Sequence, residues 1–305
     1  MSSFSYVALI TPKEKISVAM AISESSLLAG ALIANLINGP IIDGTSLSTL
    51  IYINAGLALL PTIIVFVFFT DITSTSVVEY TWRDMIGLNH LLDAFKCVFK
   101  KREGNSRLLL NLSFVAYMCI FATIAGLAAN GFLYFVKQIG MSMTEYSVFS
   151  GVLSALKGIA GPGILWVVKR WIKPDRTSIL MGAFSSMAFG YIIMSIDSIP
   201  HNAWFGGLFL CTQIVCFGEI RSFQASLCER DELGKLFAYD ALLQLLIQLI
   251  AATSFRSLYS GSLAFWPGMF LSISAALIFL GMIVVIFIDK IRLRKLCPAT
   301  LYELS

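Results

Sequence analysis

An all-α, polytopic membrane protein is the fold class that this sequence predicts, on three observations. Apolar residues fill 57% of the 305 positions and the mean hydropathy is +0.82, more apolar surface than one soluble core of ordinary proportions can hide. Those residues come in repeated blocks of about twenty, the length a helix needs to cross roughly 30 Å of hydrocarbon. The blocks do not alternate as barrel strands do. A net charge of +4 is no argument for nucleic acid here, because the basic residues lie between the apolar blocks, where a bilayer accounts for them.

Eight spans are predicted, at roughly 16–38, 46–70, 108–134, 146–169, 177–197, 203–220, 237–257 and 264–288. The residues before Ile16 read as the tail of an earlier span, which Pro12 breaks into a polar turn. SSFSYVALI is too short for a signal-peptide core and has no basic region ahead of it, so no cleaved leader is expected.

Orientation follows from Lys and Arg, which collect in cytoplasmic loops. Of the 22, nineteen fall before span one, in the gaps after spans two, four and six, and after span eight. Lys137 and Arg256 fall on the other side, and Lys157 lies inside a span. Both termini are therefore expected in the cytoplasm. On this map the six Cys are intramembrane or cytoplasmic, where thiols stay reduced, so no disulfide is expected. The sequon at Asn111 falls at the inner end of span three and is expected to stay unmodified.

The longest polar segment, about 71–107, carries LNHLLDAFKCVFK, apolar at helical spacing, and is expected to lie along the inner membrane surface. It divides the chain into four parts: two spans within 1–70, a central cytoplasmic loop over 71–107, six spans within 108–289, and a cytoplasmic tail over 290–305. A long central loop followed by six spans is the layout of the second half of a twelve-span transporter.

Ionisable groups inside a span cost several kcal/mol and mark pathways or relays. Glu24 sits among Ser23, Ser25 and Ser26 in span one, either as a proton-titrating carboxylate facing a cavity, as a protonated acid hydrogen-bonded to neighbouring helices, or as a group near enough to the interface to be solvated. Lys157 precedes Gly158, Gly161, Pro162 and Gly163, which together predict a kinked or broken helix beside a cation. It can attract an anionic substrate or snorkel at a tight crossing. Asp240, Gln244 and Gln248 recur every four residues and form one polar stripe, lining a path or bonding between helices.

The stretch Gly218–Phe237, GEIRSFQASLCERDELGKLF, concentrates charge between two apolar runs. Arg221 ends span six with Glu219 close by, either at a substrate path or in the inside-positive belt. In the earlier loop, Asp175 is placed to cap the helix that follows, and Arg176 to pair with a carboxylate of another inner loop. Phosphate loops, nucleophile elbows and His-Glu-x-x-His are absent, and with only His90 and His201 no metal site or cofactor is expected and an intramembrane enzyme is disfavoured.

Read together, these residues resemble the major facilitator superfamily, and within it solute carrier family 46, the family of the proton-coupled folate transporter. The closest match is Arg221-Ser222 followed by Glu229-Arg230-Asp231-Glu232-Leu233-Gly234-Lys235-Leu236-Phe237-Ala238. SFRSLYSGSLAFWPGMFL and FSYVALITPKEKISVAMAISESSLLAG resemble two further family stretches. The resemblance covers roughly residues 4–290 and assigns the spans to family helices five to twelve, with helices one to four missing.

It implies a proton-coupled symporter of a small organic anion, folate-like or other, in the plasma or an endolysosomal membrane. Glu24 takes the place of the family's proton-coupling Glu, and Arg221 that of an Arg in substrate and proton handling. Lys157, Asp240 and Gln244 join Arg221 as expected substrate contacts, and Arg176, Glu219, Arg230 and Glu232 as an inner gate. The expected partners are the bilayer, the anion and protons, with no nucleic acid. The family's Asp of the fourth loop falls on Leu9, its two Arg on Ile16 and Ala19, and its seventh-helix His has no counterpart near Gly126, departures that bear on folate as substrate and on the family's full coupling mechanism. The missing helices set up a second expectation, a truncated chain or incomplete gene model that does not transport and at most binds a partner.

Overall fold

A computed structural model describes residues 3–301 except 13, 14, 45–47, 50, 54, 58, 60–87, 103 and 197–199. Among the described residues every regular element is a helix. They are α1 (Ser3–Ile10), α2 (Ile16–Gly44), α3 (Leu88–Phe99), α4 (Ser106–Leu133), α5 (Met143–Val167), α6 (Arg176–Met194), α7 (Pro200–Phe209), α8 (Gln213–Ser226), α9 (Leu233–Ser262) and α10 (Met269–Leu301). Single π turns extend α4 and α5, and a 3-10 turn over Leu210–Thr212 joins α7 to α8 into one rod. Seven helical stretches are long and apolar enough to cross a membrane. Most of the remaining expected span, roughly 46–70, lies outside the described residues.

Helix α4 is central to the packing. Its buried faces carry Phe114, Tyr117, Ile120 and Phe121, and α8, α9 and α10 pack around it. Helix α6 lies between α10 and α7, with Phe184, Met187 and Tyr191 buried. Helix α2 joins this group along α5 and α8, and its contacts hold at both ends: Asn35 Nδ2 donates to Ser150 Oγ at 3.0 Å, and Lys169 Nζ bonds Ser17 Oγ.

Small residues make that seam. A Cβ on Gly218 would stand 2.6 Å from the Ser17 carbonyl oxygen, and one on Gly161 would stand 2.6 Å from Ile214 Cβ. The helix expected to kink or break there runs on without a break through Pro162. Proline deprives only the Gly158 carbonyl of its helical partner, a loss that a membrane helix tolerates when neighbours enclose it. Of these glycines Gly161 serves the close approach, whereas Gly163 has open space where a Cβ would stand.

Helix α3 forms where the amphipathic stretch was expected. Its apolar face packs on α9 and α4, with Phe95 and Phe99 set edge-on to Tyr239, and Ala94, Cys97 and Val98 are buried. At the far end α10 continues as helix to Leu301, through much of the expected tail.

Candidate functional site

The site grows from Arg221, on the face of α8 turned towards α4 and α9, with only 3% of its surface exposed. Its Nη1 donates to Glu24 Oε1 from α2, and its Nη2 donates to the Tyr117 hydroxyl from α4 and stands 3.4 Å from Asp240 Oδ2 on α9. The Phe4 ring of α1 lies 3.7 Å from the guanidinium carbon, a cation–π cover. Gln244, one turn after Asp240, donates to the Tyr117 hydroxyl at 2.7 Å and to Asp240 Oδ2 at 3.1 Å. Glu24, Tyr117 and Asp240 are all buried. Arg221 Nε and Asp240 Oδ1 have no hydrogen-bond partner among the described residues.

Five helices thus converge on one guanidinium, and their sequences allow it locally. Gly218, one turn before Arg221, lets α2 come close enough for Glu24 to reach. Asp240 and Gln244 are i, i+4 neighbours on one face of α9, whereas Gln248, the third member of the expected stripe, is exposed. Arg221 is accordingly no member of an exposed basic belt.

Lys157 stands apart. It lies on α5 beside Cys211, and among the described residues it has no ion-pair partner. Gly161 of α5 meets Cys211, and Lys169 of α5 meets Glu219, so α5 and α8 run side by side in the same direction. At 1.5 Å per residue Lys157 is then on the order of 15–20 Å from Arg221 along the axis. The two expected anion contacts do not converge on one carboxylate.

The four expected gate residues divide into separate groups. Fully buried Glu219 faces Lys169 Nζ at 2.6 Å and Arg176 Nε at 3.3 Å, so Arg176 pairs with a carboxylate inside helix α8 and not with one of another loop. Asp175 stands at the N-cap of α6 but makes no capping hydrogen bond. Glu232 pairs with Lys100 at 2.9 Å and Arg102 at 2.8 Å, next to α3, and not with its neighbour Arg230. Arg230 is exposed and lines a cleft of about 360 Å³ with Arg176, Thr11, Ser222, Ser226 and Glu229.

Sequence reasoning passed over Tyr117 and Phe4, which look like ordinary span residues, and over Lys169 and Arg102, which it used only to count basic residues. A Tyr in the middle of an apolar span was the one available signal, since a buried hydroxyl needs a partner. No three described His, Cys, Asp or Glu residues are grouped as metal ligands.

The family model of the Major Facilitator Superfamily matches residues 1–252. The chain belongs to the major facilitator superfamily. Within it, the chain is similar to solute carrier family 46. It is 26% identical over 197 residues to the lysosomal proton-coupled steroid conjugate and bile acid symporter SLC46A3 of Homo sapiens, and equally to that of Pongo abelii. The match takes in 64% of this chain and 42% of each relative, so this superfamily member spans well under two thirds of the length of the curated relatives it matches.

Proposed function

We propose that this chain carries the proton and anion site of a secondary transporter, a symporter of an organic anion. In this reading Glu24 takes up the proton, Arg221 and Lys157 attract the anion, and Asp240 and Gln244 line its path. Glu219 with Arg176 and Lys169 closes the cytoplasmic side, together with Glu232, and Arg230 stands at the mouth of the cleft. The Lys and Arg distribution supports cytoplasmic termini, and the relatives' description favours an endolysosomal membrane.

One observation carries the reading: Arg221 is held 3% exposed between carboxylates of two other helices. Burying ions at that depth costs several kcal/mol each, and apolar packing would hold the same helices together at least as well. A transporter that must exchange a proton against an anion has a use for such a group. The separation of Lys157 from Arg221 suits an elongated amphipathic anion, such as the steroid conjugates and bile acids named for the relatives, better than a compact one.

Uptake of a radiolabelled bile acid by cells expressing the chain tests this. Uptake is expected to rise on acidifying the side of entry, and Arg221→Gln is expected to abolish it. Uptake no greater than in mock-transfected cells, or equal at acid and neutral pH, overturns the reading.

A further inference from the structure

Charge balance separates the Arg221 cluster from the two other buried carboxylates that carry ion pairs. Glu219 has two cations, Lys169 and Arg176, and Glu232 has two, Lys100 and Arg102. Around Arg221 the ratio is inverted, with one cation facing Glu24 and Asp240. The other groups facing Asp240 are Tyr117 from α4 and Gln244 from its own helix, both neutral, and Phe4 from α1 covers the guanidinium. If both carboxylates were ionised, the cluster would hold one uncompensated negative charge in the membrane interior, which costs several kcal/mol. One proton removes it.

The hydrogen bonds say where that proton rests. Glu24 accepts directly from Arg221, and Asp240 Oδ2 accepts from Gln244 and faces the guanidinium. Asp240 Oδ1 is a buried carboxylate oxygen with no hydrogen-bond partner among the described residues, although Asp240 is 1% exposed. An ionised oxygen without a donor at that depth is the costly arrangement, and an O–H there is the cheaper one.

We infer that Glu24 and Asp240 form one proton-binding dyad around Arg221, which holds a single resident proton at neutral pH on Asp240 Oδ1. Asp240 is then a coupling residue and not only a wall of the path. The transport consequence rests on the symport reading above. When an anion pairs with Arg221, the ionised carboxylate loses its partner and takes up a second proton, forming one O–H bond. Empty, the cluster has one cation, one carboxylate and one carboxylic acid. Loaded with a monoanion it has one cation, the bound anion and two carboxylic acids. Both forms are neutral, and they differ by one proton and one anion. The two carboxylates titrate as a pair, so either can receive the second proton when the other is missing.

Infrared difference spectroscopy of the purified chain reads the resident proton without any substrate. At neutral pH a buried carboxylic acid C=O band is expected, lost in Asp240→Asn and also in Glu24→Gln, because either change leaves one carboxylate facing Arg221 and no need for a proton. Glu145→Gln, at the Ser142 cap of α5, is expected to leave the band unchanged. In uptake of the radiolabelled bile acid, each single variant is expected to keep a reduced acid stimulation and Glu24→Gln/Asp240→Asn to lose it. A band that survives Asp240→Asn overturns the dyad, as does full loss of acid stimulation in Glu24→Gln beside a wild-type response in Asp240→Asn. Absent uptake in the wild type, with the band behaving as expected, overturns the symport reading and leaves the dyad standing. Thermal unfolding of the isosteric Asn and Gln variants, expected within a few degrees of wild type, separates these outcomes from misfolding.

Discussion

At the residue scale, depth decides how each charge is partnered. Lys169 and Arg176 keep over a quarter of their side-chain surface exposed and stay hydrated while they hold Glu219. Arg221 has no such access, so its partners and the ring of Phe4 replace its water. The same logic governs a group outside the spans. Burial pushes the Cys228 thiol up to about 12; Arg102 opposes the shift, and the neighbouring Cys97, Glu232 and Glu229 add to it. A free thiol titrates near 8.5, so below that value folded and unfolded chains are both protonated and this contribution to stability is fully present. Above it the unfolded chain gives up the proton first, and stability falls as pH rises towards 12. Site-resolved maleimide labelling checks the shift. The rate at Cys228 is expected to be slow at neutral pH and to climb without a plateau through pH 9, where a free thiol levels off; a plateau near 8.5 would contradict it. The charged members of the site were legible because single charges in long apolar runs stand out. Their partners were not, because sequence spacing does not say which of five helices meet. Lys157 inside a span and Arg221 at the end of one were both expected to meet the anion, yet among the described residues only Arg221 has counter-ions.

At the element scale, the seam of α2 with α5 and α8 brings Glu24 to Arg221, and glycine makes it possible. A methyl on Gly218 would enter the space of the Ser17 carbonyl and of Ala21 Cβ, the latter 3.0 Å away, and backbone cannot yield as a flexible side chain does. Gly218→Ala is therefore expected to push α2 outwards, costing about 1–3 kcal/mol as overpacking does, and to lengthen the Glu24–Arg221 contact. Gly163, on the same stretch as Pro162, has open space where a Cβ would stand, with no neighbour within 4 Å. Gly163→Ala is expected to be neutral or to stabilise by roughly 0.5–1 kcal/mol, since alanine favours helix. Thermal unfolding of the two variants in detergent checks the contrast, and equal effects would rule out the seam as the cause. Span positions followed from apolar length alone, which is why α4 and α6 fall where they were expected and α9 and α10 overlap their expected spans. The continuity of α5 did not, because Gly-rich sequence near a Pro reads the same whether it bends a helix or lets a neighbour approach.

At the scale of the whole molecule, two ends differ in kind. One gathers Lys100, Arg102, Lys169, Arg176 and Arg230 around the turns near 104, 174 and 229, with Glu219 and Glu232 bound among them. The other has the turn at Gly140, where φ is +82°, and the turn before α10, with Lys137 and Arg256 as its basic residues. The amphipathic stretch of the central loop was legible as a helix, but its docking on α9 was not, since an apolar face fits lipid and protein equally well by pattern. Docked there, α3 brings Lys100 and Arg102 to Glu232 and adds to the basic end, which strengthens the asymmetry that orients the chain. Because a helix of span length separates the turn at 104 from that at 140, and another separates 140 from 174, epitopes inserted at these positions must alternate in sidedness. In cells whose plasma membrane alone is permeabilised, tags at 104 and 174 are expected to be reached from the cytosol. A tag at 140 is expected either to stay hidden until inner membranes are opened or to be reached on intact cells, according to the membrane that holds the protein. Detection of all three from the cytosol would break the topology, and detection of 140 alone from the cytosol would invert it.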